Sequence, residues 1–239
     1  MDKIMNQLQI RLFYHIVFTV IPLYAGAQVS DVNRYCLRII KSQVQFQKTI
    51  HENLGKSMSD LKRAIPGIAI DLKYATVNNF MHQKLYPHLR TTWLRKTAAD
   101  SLAAVQKELI PLGLCVKIFD AYRPYSITEK MWERVRDERY AANPKNGSGH
   151  NRGIAVDLTL IKLQTKEELD MGTGFDNFSD TAHISFGGLP FQSLKNRALL
   201  RDIMEKHGFI ALKTEWWHFS LPNSEDYELL DIPFRAFRR

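Results

Sequence analysis

The chain has 239 residues, 45% of them hydrophobic and 24% charged, enough for one full core and too few for two comfortable domains; this composition excludes disorder, collagen and coiled coil. Two cysteines, Cys36 and Cys115, exclude a disulfide scaffold or a cysteine-based zinc module, so any metal must be held by His and carboxylate. The net charge of +8 is spread along the chain with no basic run longer than two, which argues against a nucleic-acid partner.

Lys3 and Arg11 precede an apolar stretch of 13 residues, Leu12 to Tyr24, which ends at Ala25-Gly26-Ala27. A positive start, an apolar segment shorter than the roughly 17–25 residues of a membrane span and an A-x-A site together make a secretory signal peptide over residues 1–27. Cleavage after Ala27 leaves Gln28 first, with no cysteine there for lipidation and no membrane span in the mature chain. The expected location is periplasmic or secreted.

Residues 28–60 read as an N-terminal helical arm, because Val32, Tyr35, Ile39, Val44 and Phe46 recur at loosely helical spacing before Gly55. A core domain over 61–239 follows. Pro66-Gly67 makes a turn into a strand carrying Ile68, Ile70 and Leu72. Thr97 to Ile110 is a predicted helix with Leu102, Val105 and Leu109 inward, stopped by Pro111 and Gly113; Leu114 to Phe119 is a predicted strand. Ser126 to about Tyr140 is helical, with Ser126 as N-cap and Glu129 at the capping-box position. A strand over Gly153 to Leu160, a helix over Ser193 to His207 and a last strand over Trp216 to Leu221 complete the series. Strands and helices mingle without a regular βαβ period, which predicts a single α+β domain with a central, largely antiparallel sheet flanked by helices.

Three segments carry chemistry. In Ser148-Gly149-His150-Asn151-Arg152-Gly153 an imidazole sits on a glycine-rich loop, and Asp157 follows inside an apolar strand, where a carboxylate needs a metal, a cation or several donors. In Thr214-Glu215-Trp216-Trp217-His218 a carboxylate and an imidazole lie three residues apart amid aromatic bulk. Hydrolytic zinc sites use three His or carboxylate ligands plus a nearby carboxylate that moves protons; His150, Asp157 and His218 supply the first set and Glu215 the second. On an ideal strand Glu215 and His218 would face opposite sides, so Glu215 must lie on the preceding loop or beside a bulge. In Phe119-Asp120-Ala121-Tyr122-Arg123-Pro124, Pro124 keeps Arg123 out of a helix interior, so its guanidinium stands at a strand-to-helix junction, there to meet an oxyanion or an acid such as Asp120.

DAYRP, SGHNRGIAVDLTL and EWWHF, in this order and spacing, resemble the D-alanyl-D-alanine dipeptidases of the vancomycin-resistance type, within a metallopeptidase family that also contains D,D-carboxypeptidases and L-alanyl-D-glutamate endopeptidases. The likeness runs from about Leu61 to Pro233 and includes DLKYATVNNF and ELDMGTGFDNFSD. It implies one Zn²⁺ per chain bound by His150, Asp157 and His218, Glu215 as general base, Arg123 stabilising the transition state, and a narrow cavity for a free dipeptide. It also places Asp176 against the substrate's ammonium, although an Asp beside Asn177 reads by itself as a turn residue. Ser148 and Tyr74 are further candidates for the substrate pocket, although Tyr74 by itself reads as a strand-end residue packed in the core. Trp216, where the carboxypeptidase branch usually has Pro, favours the dipeptidase branch; Gly149 departs from the larger residue common in relatives. His183 reads as structural, and His51, His82, His88 and His207 as surface or capping residues. Two rival functions remain at this level: a D,D-carboxypeptidase acting on peptidoglycan stem peptides, and a noncatalytic zinc-stabilised cell-wall binding protein, which would have no need of Glu215.

Overall fold

The computed structural model describes residues 32–238; the expected signal peptide over 1–27 and the first residues of the arm lie outside them. A five-stranded sheet organises the described residues, which belong to one compact unit. Its members, in spatial order, are β3 (Ala69–Ile70), β5 (Leu114–Asp120), β6 (Ala155–Lys162), β8 (His218–Ser220) and β7 (Ile210–Ala211); only the β3–β5 pairing is parallel. The expected α+β, largely antiparallel architecture is the one observed.

The central strands β5 and β6 are buried along nearly their whole length, so both faces of each lie inside the fold. Along β6, Val156, Leu158 and Leu160 face one way and Asp157 and Thr159 the other. Two long helices pack on the sheet, α3 (Lys96–Leu109) and α6 (Phe191–Lys206). Ala98, Leu102, Val105 and Leu109 form the buried stripe of α3. The helix gives way to a short 3-10 turn containing Pro111, and Gly113 reverses the chain at φ +71° into β5.

The arm departs from its expected form. Instead of one helix over about 31–54, the chain makes a turn closed by the Asn33 carboxamide, a two-residue strand β1 (Ile39–Ile40) and a shorter helix α1 (Gln43–Glu52), whose N-cap Ser42 accepts from Gln45 N. The arm packs on the rest of the chain. Strand β1 pairs in parallel with β9 (Leu229–Leu230) near the C-terminus, and the Phe46 and Phe237 rings meet edge to face at 5.6 Å. Strand β2 (Met58–Asp60) pairs with β4 (Trp93–Arg95), and Asp60 then caps the single turn α2 (Leu61–Ala64).

Two element boundaries also move. Helix α4 (Tyr125–Val135) starts one residue before the expected N-cap Ser126, and it stops at Arg136 in a left-handed conformation. No capping box forms, because the Ser126 N–H is taken by the Asp231 carboxylate at 3.0 Å. The strand expected over Trp216–Leu221 shortens to β8, and β9 follows it. Cys36 is exposed and Cys115 buried, both as free thiols. Among the described residues no helix is long and apolar enough to cross a membrane.

Candidate metal centre and catalytic cavity

Three adjacent strands set out the site in one row. Register places Asp157 on β6 opposite His218 on β8, and, across an irregularity between Ile118 and Asp120, opposite Asp120 on β5. Such a bulge re-aims side chains at the end of a strand. His150 arrives from the short helix α5 (Gly149–Arg152), whose N-cap Ser148 accepts from His150 N at 3.1 Å and whose C-cap Gly153 takes the left-handed φ of +72°.

The donor atoms of His150, Asp157 and His218 converge. His150 Nε2 lies 3.2 Å from His218 Nδ1 and 3.4 Å from Asp157 Oδ2, and His218 Nδ1 lies 2.8 Å from Asp157 Oδ1. Ligand bonds of about 2.0–2.2 Å at tetrahedral angles separate donors by roughly 3.3 Å. His150 Nδ1 is engaged with the Ala121 carbonyl at 2.8 Å, which puts the ring proton on that nitrogen and leaves the Nε2 lone pair facing the other two donors. Two imidazole lone pairs and a buried carboxylate in such proximity suit a divalent cation, so the residues present fit a zinc-type ion.

Glu215 sits on the loop before β8, which resolves the spacing problem without a bulge. Its Oε2 is 3.9 Å from His218 Nδ1. Burial pushes its carboxyl up to about 7, against the pull of His218. Burial works against the charge of Asp157 too, but the two histidines more than offset it and hold that group low.

Arg123 is 7% exposed and does not meet Asp120 on the surface; both belong to the interior. The guanidinium Nε and Nη2 donate to Asp120 Oδ2 at 2.9 and 2.7 Å, and Tyr86 donates to the other oxygen at 2.9 Å. Nη2 also lies 3.9 Å from Asp157 Oδ2, and the cation rests over the Tyr74 ring at 5.1 Å. Tyr74 in turn donates its hydroxyl to Asp176 Oδ1 at 3.0 Å, while Phe80 N approaches Oδ2 at 3.4 Å. Tyr74 is therefore both core and cavity wall. Asp176 holds a left-handed φ of +58°, a conformation Asp tolerates, and burial raises its carboxyl to about 7.

His150, Asp157, His218, Glu215, Arg123, Asp176, Ser148 and Tyr74 all line one cavity of about 280 Å³. Ser148 contributes to the wall while its Oγ serves as the helix cap. Trp217 lines the cavity, and Trp216 turns away to donate to Thr173 Oγ1. His183 lies outside the donor cluster, and His207 binds Glu108 at the end of α6. Sequence reasoning missed the roles of Tyr86, the Ala121 carbonyl and the aromatic rim. In that rim Phe80 and Tyr140 line the cavity and are joined by Phe178, at 5.1 and 4.6 Å respectively. None of these carries a local signal, since each acts through a partner distant in sequence.

Gly149 has a packing reason of its own. A Cβ there would lie 2.8 Å from Ala155 Cβ and 2.9 Å from Ser220 Oγ. Gly149→Ala is expected to destabilise the fold by about 1–3 kcal/mol, read as a lower midpoint in urea with an unchanged slope.

Residues 55–238 match the peptidase M15 family, described as D-ala-D-ala dipeptidase. The chain is similar to the D-alanyl-D-alanine dipeptidase of Escherichia coli, 37% identical over 178 residues that span 74% of this chain and 91% of that one. It is also similar to those of Enterococcus faecium, 32% identical over 69% of this chain and 93% of that one, and Enterococcus faecalis, 30% identical over 73% and 92%.

Proposed function

The chain belongs to the D-ala-D-ala dipeptidase family of metallopeptidases, and from that premise we propose that it is a zinc-dependent hydrolase of free D-alanyl-D-alanine. The observation that carries the reading is the shared cavity: three converging metal donors, Glu215 beside them, Arg123 behind Asp157, and a second carboxylate, Asp176, in the same small space. At about 280 Å³ it lies at the lower end of ligand pockets, roughly 300–1,000 Å³, which suits a dipeptide better than a long stem peptide.

His150, Asp157 and His218 would hold the ion, which supplies Lewis acidity and makes water acidic enough to ionise near neutral pH. Glu215 takes the proton as water oxygen bonds to the peptide carbonyl carbon. As the C–N bond breaks, the same carboxyl returns that proton to the departing amine, releasing two molecules of D-alanine. Arg123, pinned by Asp120, presents a fixed positive charge to the developing oxyanion without reorganising. Asp176 receives the substrate's ammonium, with Tyr74 orienting it.

Incubating the zinc-loaded protein with the free dipeptide and with a pentapeptide stem tests the proposal; D-alanine is expected from the first and not the second. Release from the stem at equal rate would make it a carboxypeptidase, and release from neither a noncatalytic binder. His150→Ala, Asp157→Ala and His218→Ala are each expected to lose the metal, and stoichiometric metal retained by all three on elemental analysis would overturn the ligand set.

The first 27 residues support export, and the mature protein is proposed to begin at Gln28 in the periplasm or medium. Mass spectrometry of the native protein checks this, and an intact Met1 would refute it.

A further inference from the structure

We propose that the C-terminal segment around Asp231 and Ile232 is a latch that sets the position of Arg123, with Tyr122 and Asp231 acting as positioning residues for the reaction. This rests on the dipeptidase reading for its kinetic part only.

The geometry surrounds Arg123-Pro124 from both sides. Before it, the fully buried Tyr122 hydroxyl donates to the Ile232 carbonyl at 2.7 Å and accepts from Ile232 N at 2.9 Å. After it, Ser126 N donates to Asp231 Oδ1 at 3.0 Å. Two consecutive residues of the C-terminal segment thus hold the Tyr122 side chain on one side of the turn that carries the guanidinium and the Ser126 backbone on the other. The segment is itself fixed, because β9 pairs with β1 and Asp231 N donates to the Ile40 carbonyl at 2.8 Å. Packing alone would not demand the hydroxyl: the Tyr122 ring meets Phe234 and Phe237 at 5.6 and 5.3 Å whether or not it carries oxygen.

What the latch holds is functional. Asp120 on the preceding strand fixes the guanidinium, and within the gripped run Arg123 N donates to the His150 carbonyl at 3.1 Å while the Asn151 carboxamide donates to the Arg123 carbonyl at 2.9 Å. Loss of either contact loosens the turn on that side and lets the Arg123 side chain drift from its place beside Asp157. Misplacement of a catalytic group by about 1 Å costs on the order of a hundredfold in rate.

Tyr122→Phe removes both hydroxyl bonds and keeps the ring; Asp231→Ala removes the cap, and Asp231→Asn restores an acceptor. Two readouts are combined. In the metal-free protein, hydrogen exchange of the Arg123 Nε–H, followed by NMR, is expected to quicken at least tenfold in Tyr122→Phe and Asp231→Ala and to recover in Asp231→Asn. In the zinc-loaded protein, kcat on D-alanyl-D-alanine is expected to fall about ten- to a hundredfold with KM and metal content unchanged, and the loss should vanish when Arg123 is already Ala. An unchanged exchange rate with only a lower Tm overturns the latch, as does a kcat loss that excess zinc repairs or that persists in the Arg123→Ala background. If the unsubstituted protein cleaves no D,D-dipeptide, the proposed function fails, and the exchange readout decides the latch by itself.

Discussion

Glu215→Gln is expected to keep its metal and lose on the order of a thousandfold in kcat. The amide preserves the volume that Glu215 occupies on the loop before β8, so the three donors and the cavity wall stay where they are. It cannot accept a proton from water, and a positioned general base is typically worth 10²–10⁴ in rate. Glu215 lies 3.9 Å from the metal-facing nitrogen of His218, close enough to meet a water held among the donors, and it is not one of the three groups whose ligand atoms converge. Elemental analysis of the variant should return the same stoichiometry as the unsubstituted protein, and KM should move little. Substantial turnover by Glu215→Gln with full metal would remove Glu215 from the mechanism and turn attention to the other cavity carboxylates, Asp176 and Glu138.

The cluster of candidate metal donors was legible because its signals are local. A glycine on each side of His150 and a carboxylate inside an apolar strand are read from a dozen consecutive residues, and the sheet register does the rest by placing Asp157 opposite His218. The long helices α3 and α6 and the buried strands β5 and β6 were legible for the same reason, through periodicity and apolar runs. What escaped acts at a distance. Strand β1 is two residues long and exists through a parallel partner near the other end of the chain, so its residues passed for part of a helix. The cap of α4 comes from Asp231, not from the Ser126 that local rules select. Asp120 was visible beside Arg123, but its burial under Tyr86 was not, and that burial turns an ordinary ion pair into a fixed charge at the cavity wall.

The free dipeptide is expected to be cleaved at least a thousandfold more efficiently than its N-acetylated form, a preference that rests on Asp176. A site built around a charge-assisted pair rejects the analogue that cannot make it by roughly 10⁴–10⁵, because the carboxylate is then left desolvated without a partner. Asp176 is suited to this role: Tyr74 and Phe80 N hold its two oxygens, and burial, aided by Asp157, raises it to about 7 against the pull of Tyr74, Phe80 N and Arg123. The sign of the pH effect follows. Above about pH 7 the free protein carries the ionised carboxylate, ready for an ammonium whose own pKa is about 7.7–8.0. Below it the carboxyl is protonated and the ammonium must displace that proton, so the preference for the free dipeptide should shrink as pH falls. Taking the ratio of kcat/KM for the two substrates removes the contribution of Glu215, which serves both alike. Asp176→Ala should lower activity on the free dipeptide far more than on the acetylated one and abolish the pH dependence of the ratio. Equal cleavage of the two substrates at pH 8 would mean that the cavity is open at that end, reduce Asp176 to a turn residue and turn the assignment toward a carboxypeptidase.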